Sequence, residues 1–159
     1  MKIELRKLEK GDAPLFYKWW NDDELRVLTS DTFERMEEAE IDEIIEKHLN
    51  NPLYYDFILL AEGKSVGHIL IQKKKEAEFF ELYVAIGEKD YWDKGVGTEA
   101  IGQVLGWFWS NFPEEKTLQL EVNKDNLRAK KCYEKCGFGT VGEKSYQNHS
   151  DTYILQVGN

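Results

Sequence analysis

The sequence has little cysteine, little histidine and no long apolar run. Its two cysteines in 159 residues, Cys132 and Cys136, are spaced i and i+4. That is neither a zinc pattern nor a disulfide framework, so buried, reduced thiols are expected. His48, His68 and His149 lack metal-ligand spacing, and no metal is expected. No apolar stretch approaches the ~20 residues that cross a bilayer, and Met1-Lys2-Ile3-Glu4 is too charged for a secretory signal, so a cytoplasmic protein with no membrane partner is expected. Positive charge is also scarce: 21 Lys and Arg against 30 Asp and Glu leave a net charge of −9. This argues against nucleic acid and anionic membranes as partners, since both reward a basic surface, and favours a cationic substrate. No repeat, linker or low-complexity segment interrupts the chain.

What is present is 42% hydrophobic and 13% aromatic residues, too much apolar surface for disorder, in a length expected for one domain over residues 1–159. Ile3 and Leu5 alternate with charged residues as in an opening strand. Asp12 and Pro14 suit a helix start, and Leu15, Phe16, Trp19 and Trp20 supply its apolar face up to Asn21. A second helix is predicted from Glu37 to Leu49 on Ile41, Ile44, Ile45 and Leu49; its opposite face is acidic, as a solvated surface would be. Three strands of an antiparallel meander follow: Tyr55 to Ala61, Ser65 to Gln72 and, after the turn at Lys73-Lys74-Lys75-Glu76, Ala77 to Ile86.

Between this last strand and a helix predicted from Thr98 to Trp109 lies Tyr91-Trp92-Asp93-Lys94-Gly95-Val96-Gly97-Thr98-Glu99-Ala100. Two glycines where a strand turns into a helix let the backbone approach an anion, and the first helical N–H groups and the helix dipole then hold it. A plain helix-entry turn is the alternative. The run also fits Gly-x-Gly-x-x-Ala of a dinucleotide fold, with Glu121 as its ribose acid. Against this, the strand ends several residues early and too little chain follows. A Walker loop is excluded because no Gly-Lys-Ser/Thr is present.

Leu118, Leu120 and Val122 alternate in a further strand reached by a helical crossover. The next helix carries Ala129, Cys132, Tyr133 and Cys136 on one face, with Asn123 or Asp125 as a candidate cap and Gly137 as terminator. Strands at Gly139 to Lys144 and Thr152 to Val157 flank the turn Asn148-His149-Ser150-Asp151. The order is one of an α/β fold with a mixed sheet.

Trp92-Asp93-Lys94-Gly95-Val96-Gly97 resembles the Gln/Arg-x-x-Gly-x-Gly/Ala loop of the GCN5-related N-acetyltransferases, the GNAT family. Asn126, Ala129, Tyr133, Gly137 and Phe138 match that family's Asn-x-x-Ala-x-x-x-Tyr-x-x-x-Gly-Phe in full. Trp92 departs from the usual Gln or Arg. Tyr91-Trp92-x-Lys94-Gly95 and Trp20-Asn21-Asp22 look like the branch with ribosomal-protein, polyamine and aminoglycoside acetyltransferases. The resemblance implies an acyl-CoA N-acyltransferase fold, a mostly antiparallel mixed sheet flanked by helices.

It also implies acetyl-CoA as donor and direct transfer to a primary amine in a ternary complex. The pyrophosphate would rest on the N–H groups of Lys94, Gly95, Val96, Gly97 and Thr98. The pantetheine would pair with the strand end from Tyr83 to Ile86, and the N–H of Val84 would face the carbonyl oxygen. Arg128, with Lys124, Lys130, Lys131 and Lys135, forms either a seat for the 3′-phosphate or an ordinary charged helix face. Asn126 is a donor contact or a helix cap. Glu121 and Glu81 are the two candidate bases for the amine, either of which could be an ordinary strand residue, and Tyr133 takes the general-acid position with a phenol near ~10. Cys132 is not expected to carry the acetyl group. Trp19, Trp20, Asp22, Asp23, Glu24 and Asp31 fall where the family builds its acceptor pocket, and His149 is a candidate for its mouth. The acceptors expected, in order, are a protein N-terminus, a polyamine and an aminoglycoside, and a homodimer would be in keeping with the family. The alternative is a catalytically silent acyl-CoA-binding or sensor module, against which Tyr133 and the two carboxylates argue.

Overall fold

The computed structural model describes residues 1–29, 35–73, 76–147 and 150–159. Asp31, the Lys74-Lys75 part of the expected turn, and Asn148 with His149 lie outside the described residues. The elements run β1 (Ile3–Lys7), α1 (Ala13–Trp20), α2 (Asp23–Thr29), α3 (Glu38–Asn50), β2 (Tyr54–Ala61), β3 (Lys64–Gln72), β4 (Glu81–Ile86), α4 (Val96–Asn111), β5 (Thr117–Asn123), α5 (Leu127–Lys135), β6 (Gly139–Lys144) and β7 (Thr152–Gly158). They form a seven-stranded sheet in the order β1-β2-β3-β4-β5-β7-β6, in which only β4 and β5 run parallel.

Both faces of the sheet are covered, which is why β2 reads as an apolar run from Phe57 to Ala61. Phe57, Leu59 and Ala61 join the larger core with α4, α5, Leu118, Leu120 and Val122. Ile58 turns the other way, into a second core with Phe16, Trp19, Ile41 and Ile45 of α1 and α3. β5 alternates accordingly: Leu118, Leu120 and Val122 are buried beneath α4 and α5, while Gln119, Glu121 and Asn123 face the other side.

Four expectations change. Asp12 stands at the start of α1 but does not cap it; its carboxylate takes Arg6 at 2.9 and 2.7 Å and the Glu9 N–H at 2.8 Å. α2 is an additional helix, started by Asp22, whose side chain accepts from the N–H groups of Glu24 and Leu25 at 3.1 and 3.2 Å; its seven residues are too few to show a periodic apolar face. Leu49, expected on the buried face of α3, is 44% exposed, and Ile41 and Ile45 bury that helix. The third meander strand begins at Glu81 rather than Ala77, because Phe80 turns inward against Phe108 and Phe112 and its carbonyl is taken by the Gln119 N–H at 3.2 Å.

Candidate functional site

β4 and β5 pair at a single register point, Glu81 with Gln119. Beyond it the two parallel strands separate, and the gap opens into a cleft of about 320 Å³ lined by Val84, Ala85 and Ile86, the loop from Tyr91 to Thr98 except Lys94, and α5 from Asn126 to Lys135 in part. α4 starts at the floor of this cleft. Gly95 is its N-cap at φ 79°, a left-handed conformation open to glycine at no steric cost, and no side chain caps the helix. The N–H groups of Val96, Gly97 and Thr98 are therefore the first-turn donors without an intrahelical acceptor, with the positive end of a 16-residue helix behind them. Gly97 is needed for a second reason: a Cβ there would come within 3.1 Å of the Cys132 sulfur. Two adjacent elements thus approach as closely as they can, leaving backbone donors facing an open, partly apolar cleft. Such an arrangement suits an anion joined to an extended apolar chain.

Val84 and Ile86 line the cleft as expected, and so do Asn126 and Arg128. Lys94 does not line it and is exposed on the loop. Asn126 turns out to be the cap of α5, in place of Asn123 or Asp125: its side chain accepts from the Ala129 N–H at 3.3 Å. The basic cluster divides. Lys124 pairs with Glu143 at 2.9 Å, and Lys130 pairs with Glu134 at 3.6 Å, both lying over the Tyr153 ring. Arg128, Lys131 and Lys135 are the three that reach the cleft.

Trp92, where the sequence departs from the family pattern, has a definite position. Its indole N–H donates to the Ile86 carbonyl at 2.9 Å, and the Arg128 guanidinium lies 4.2 Å from its ring centroid. Arg128 also reaches both carboxylate oxygens of Asp93 at 3.2 Å. Asp93 is one of two non-glycine residues with positive φ among those described. Nothing in the sequence marks this pairing, because Asp93 and Arg128 are 35 residues apart.

Tyr133 projects from α5 into the cleft and is 7% exposed. Burial, reinforced by Cys132, raises its phenol well above the ordinary value of 10.0, so the expected match to a thiol near that value is corrected. A phenol so raised keeps its proton over the whole physiological range. Cys132 and Cys136 are free and half-buried rather than fully buried.

The two carboxylates occupy unequal places. In the β4–β5 register Glu81 is the paired residue itself, at the closed end. Glu121 lies two positions past Gln119, where the strands have parted, and faces the side of the sheet away from α4 and α5. It accepts hydrogen bonds from the Tyr146 hydroxyl and from Thr152 Oγ1, the latter at 2.7 Å. Tyr146, contributed by the β6–β7 connection, escapes sequence reasoning for the same reason as Asp93.

The expected acceptor-pocket residues are largely engaged elsewhere. Trp19 is 4% exposed and donates to Glu88 at 2.7 Å. Asp22 and Glu24 share Lys89 at 2.9 and 3.1 Å, and Asp23 holds Arg26 at 2.7 Å. Each of these carboxylates is paired with a cation within the chain, Asp22 and Glu24 with the same lysine.

Residues 2–139 match the family model described as Acetyltransferase (GNAT) domain. The chain belongs to the GNAT acetyltransferase family. Among curated proteins, this GNAT domain is 22% identical to the aminoglycoside N(6′)-acetyltransferase type 1 of Klebsiella pneumoniae, over 98% of this chain and 83% of that protein. Among solved structures it resembles AAC(6′)-Ib in complex with ribostamycin and coenzyme A, with TM-score 0.86, 19% identity and coverage of 99% and 94% of the two chains. It also resembles the spermidine N-acetyltransferase of Vibrio cholerae in complex with CoA and spermine, with TM-score 0.83, 19% identity and coverage of 98% and 95%. The GNAT fold read from the two motifs is thereby established. Among the described residues no helix is long and apolar enough to cross a membrane, and no group of three or more metal-binding side chains is assembled.

Proposed function

We propose that this chain transfers an acetyl group from acetyl-CoA to a primary amine of a small polycationic acceptor, an aminoglycoside or a polyamine, by direct attack of the amine. The observation that carries the reading is the cleft between the parted strands β4 and β5, which joins an uncapped helix start to a buried phenol. The residues fit the donor. Gly95 and Gly97 expose the N–H groups of Val96, Gly97 and Thr98 to a pyrophosphate, and the apolar walls at Val84, Ile86 and Ala129 suit pantetheine. Arg128, Lys131 and Lys135 supply positive charge at the same cleft for the 3′-phosphate. The thioester brings an acyl group already activated for attack by an amine.

In this reading the N–H of Val84 donates to the carbonyl oxygen as negative charge develops there; such donors contribute ~3 kcal/mol each. Glu121 removes the proton of the incoming ammonium, whose pKa near ~10.4 leaves almost none of it neutral at pH 7. Its place on the open side of the strand separation supports this choice over Glu81. Tyr133 donates its hydroxyl hydrogen to the departing sulfur. Small polycations rank above protein N-termini because both kinds of relative named above act on them.

The deciding test is a thermal shift of the purified chain with acetyl-CoA and, in parallel, NADH. It is followed by CoA release with kanamycin, spermidine and a ribosomal N-terminal peptide. At ~100 times the dissociation constant, acetyl-CoA should stabilise by about 2.7 kcal/mol, a shift of several degrees. A shift with NADH alone defeats the donor assignment, and turnover of the peptide alone defeats the acceptor assignment.

A further inference from the structure

The transfer just described makes no use of either thiol, yet one lines the donor cleft and the other lies one helical turn from it. Cys132 lines it, one residue before Tyr133, with its sulfur 3.4 Å from Thr98 Oγ1. Cys136, one turn later, points its S–H at the Thr98 carbonyl, 3.7 Å away. The two sulfurs therefore share one residue of the α4 first turn, the turn that supplies the anion-binding N–H groups.

Their chemistry is unequal. The Cys136 hydrogen bond, helped by Thr98 and Lys135 and opposed by burial, draws Cys132 below the ordinary thiol value, while the same bond and burial push Cys136 up. One sulfur is the nucleophile and its neighbour is a protonated thiol able to resolve it, the arrangement found in peroxide-sensitive proteins. Geometry permits closure. Cβ atoms at i and i+4 of a helix lie ~5–6 Å apart and a disulfide requires ~3.5–4.5 Å, so the last turn must tighten by about 1–2 Å. Cys136 is the C-cap of α5, past its last helical residue and followed by Gly137 at φ 96°, where the chain can accommodate that movement. A bond closed under such strain is also readily reduced.

We propose that Cys132 and Cys136 form an oxidisable dithiol at the donor cleft, converted by a hydroperoxide to an intramolecular disulfide that weakens acetyl-CoA binding and is reversed by a thiol reductant. The Cys132 thiolate attacks the peroxide: an S–O bond forms, the O–O bond breaks, and the alkoxide or hydroxide leaves and takes up a proton. Cys136 then loses its proton and attacks the Cys132 sulfur; the S–S bond forms and the sulfenic oxygen departs as water. Two thiols are oxidised by two electrons and one hydroperoxide is reduced to an alcohol, or to water, with a further water released. Closure pulls the Cys132 sulfur off Thr98 and loosens the cradle. The binding half of this proposal rests on the acetyl-CoA reading; the dithiol half does not.

The test treats the reduced full chain with hydrogen peroxide at pH 7 and reads intact mass, dimedone trapping and acetyl-CoA affinity. The wild type should lose two hydrogen atoms as a monomer. Cys136→Ala should stop at a dimedone-trapped sulfenic acid on Cys132, and Cys132→Ala should show neither product. Oxidised wild type should bind acetyl-CoA about tenfold more weakly, a cost of about 1.4 kcal/mol, with recovery in dithiothreitol. An unchanged mass, a disulfide-linked dimer, or an oxidised monomer that binds acetyl-CoA as before overturns the proposal. A reduced protein that fails to bind acetyl-CoA overturns the donor reading and the binding half with it, while the mass still decides the dithiol.

Discussion

The indole N–H of Trp92 donates to the backbone carbonyl of Ile86 at 2.9 Å, fastening the loop before α4 to the last residue of β4. The same ring supports the Arg128 guanidinium from α5, so one side chain joins the strand, the loop and the helix that enclose the cleft. The Ile86 carbonyl is engaged by this bond, which concentrates any strand-like pairing with pantetheine on Val84.

Replacing Trp92 with Ala should therefore damage donor binding without reaching the chemistry. Loss of the ring–guanidinium contact and the hydrogen bond should raise the acetyl-CoA KM about tenfold and leave kcat within about threefold. Trp92→Phe, which keeps a ring and loses the N–H, should fall between. Steady-state kinetics with acetyl-CoA varied at saturating amine checks this; a fall in kcat at constant KM would refute it.

Glu121 and Glu81 separate by kinetics. Glu121→Gln should reduce kcat about 10²-fold at pH 7, and the deficit should shrink as pH approaches ~10, where the amine supplies its own neutral form. Glu81→Gln, at the closed end of the strand pair, should stay within about threefold. Equal losses in the two variants would remove the argument from strand separation.

Tyr133→Phe should keep acetyl-CoA affinity and lower turnover at least ~tenfold. Burial raises this phenol, and a donor with a raised pKa stays protonated as pH climbs. The wild-type rate should accordingly show no decline from Tyr133 ionisation up to about pH 10. Unchanged turnover in the Phe variant would sink the assignment.

Asp56 links α3 to the sheet, accepting from His48 at 3.0 Å and from the buried His68 at 2.8 Å. Burial pushes its carboxyl up, but the two histidines outweigh this and hold it below the ordinary value. A depressed carboxyl stabilises the fold above its unfolded value of ~3.9 and loses that contribution as pH falls through the folded value. Asp56→Asn should cost about 3 kcal/mol at pH 7, or about 6–12 °C in Tm, with the difference from wild type closing below pH ~4. Thermal melts across that range measure it.

The fold was legible to the extent that its signals are local. Alternation in Leu118, Leu120 and Val122, the glycine pair before a helix, and the run from Asn126 to Phe138 each express one element's own geometry. Together they were enough to name the family. The misjudged places are those where a distant partner overrode a local preference: Asp12 served Arg6 rather than its helix, Phe80 left its strand for an aromatic cluster, and Trp19 went into the core rather than the acceptor mouth. The short helix α2 left no periodic trace.

By itself, then, the sequence determined the architecture, the glycine-led start of α4 at Gly95 and Gly97, and the place of Tyr133 on α5, because backbone conformation and helix periodicity are properties of neighbouring residues. Tertiary structure alone decided which carboxylate sits beside the parted strands, which of the basic residues reach the cleft, that Trp92 anchors Arg128, and that two thiols meet at Thr98. Each of these depends on side chains brought together across 25 or more residues of chain, and contacts of that range are settled by how the elements pack.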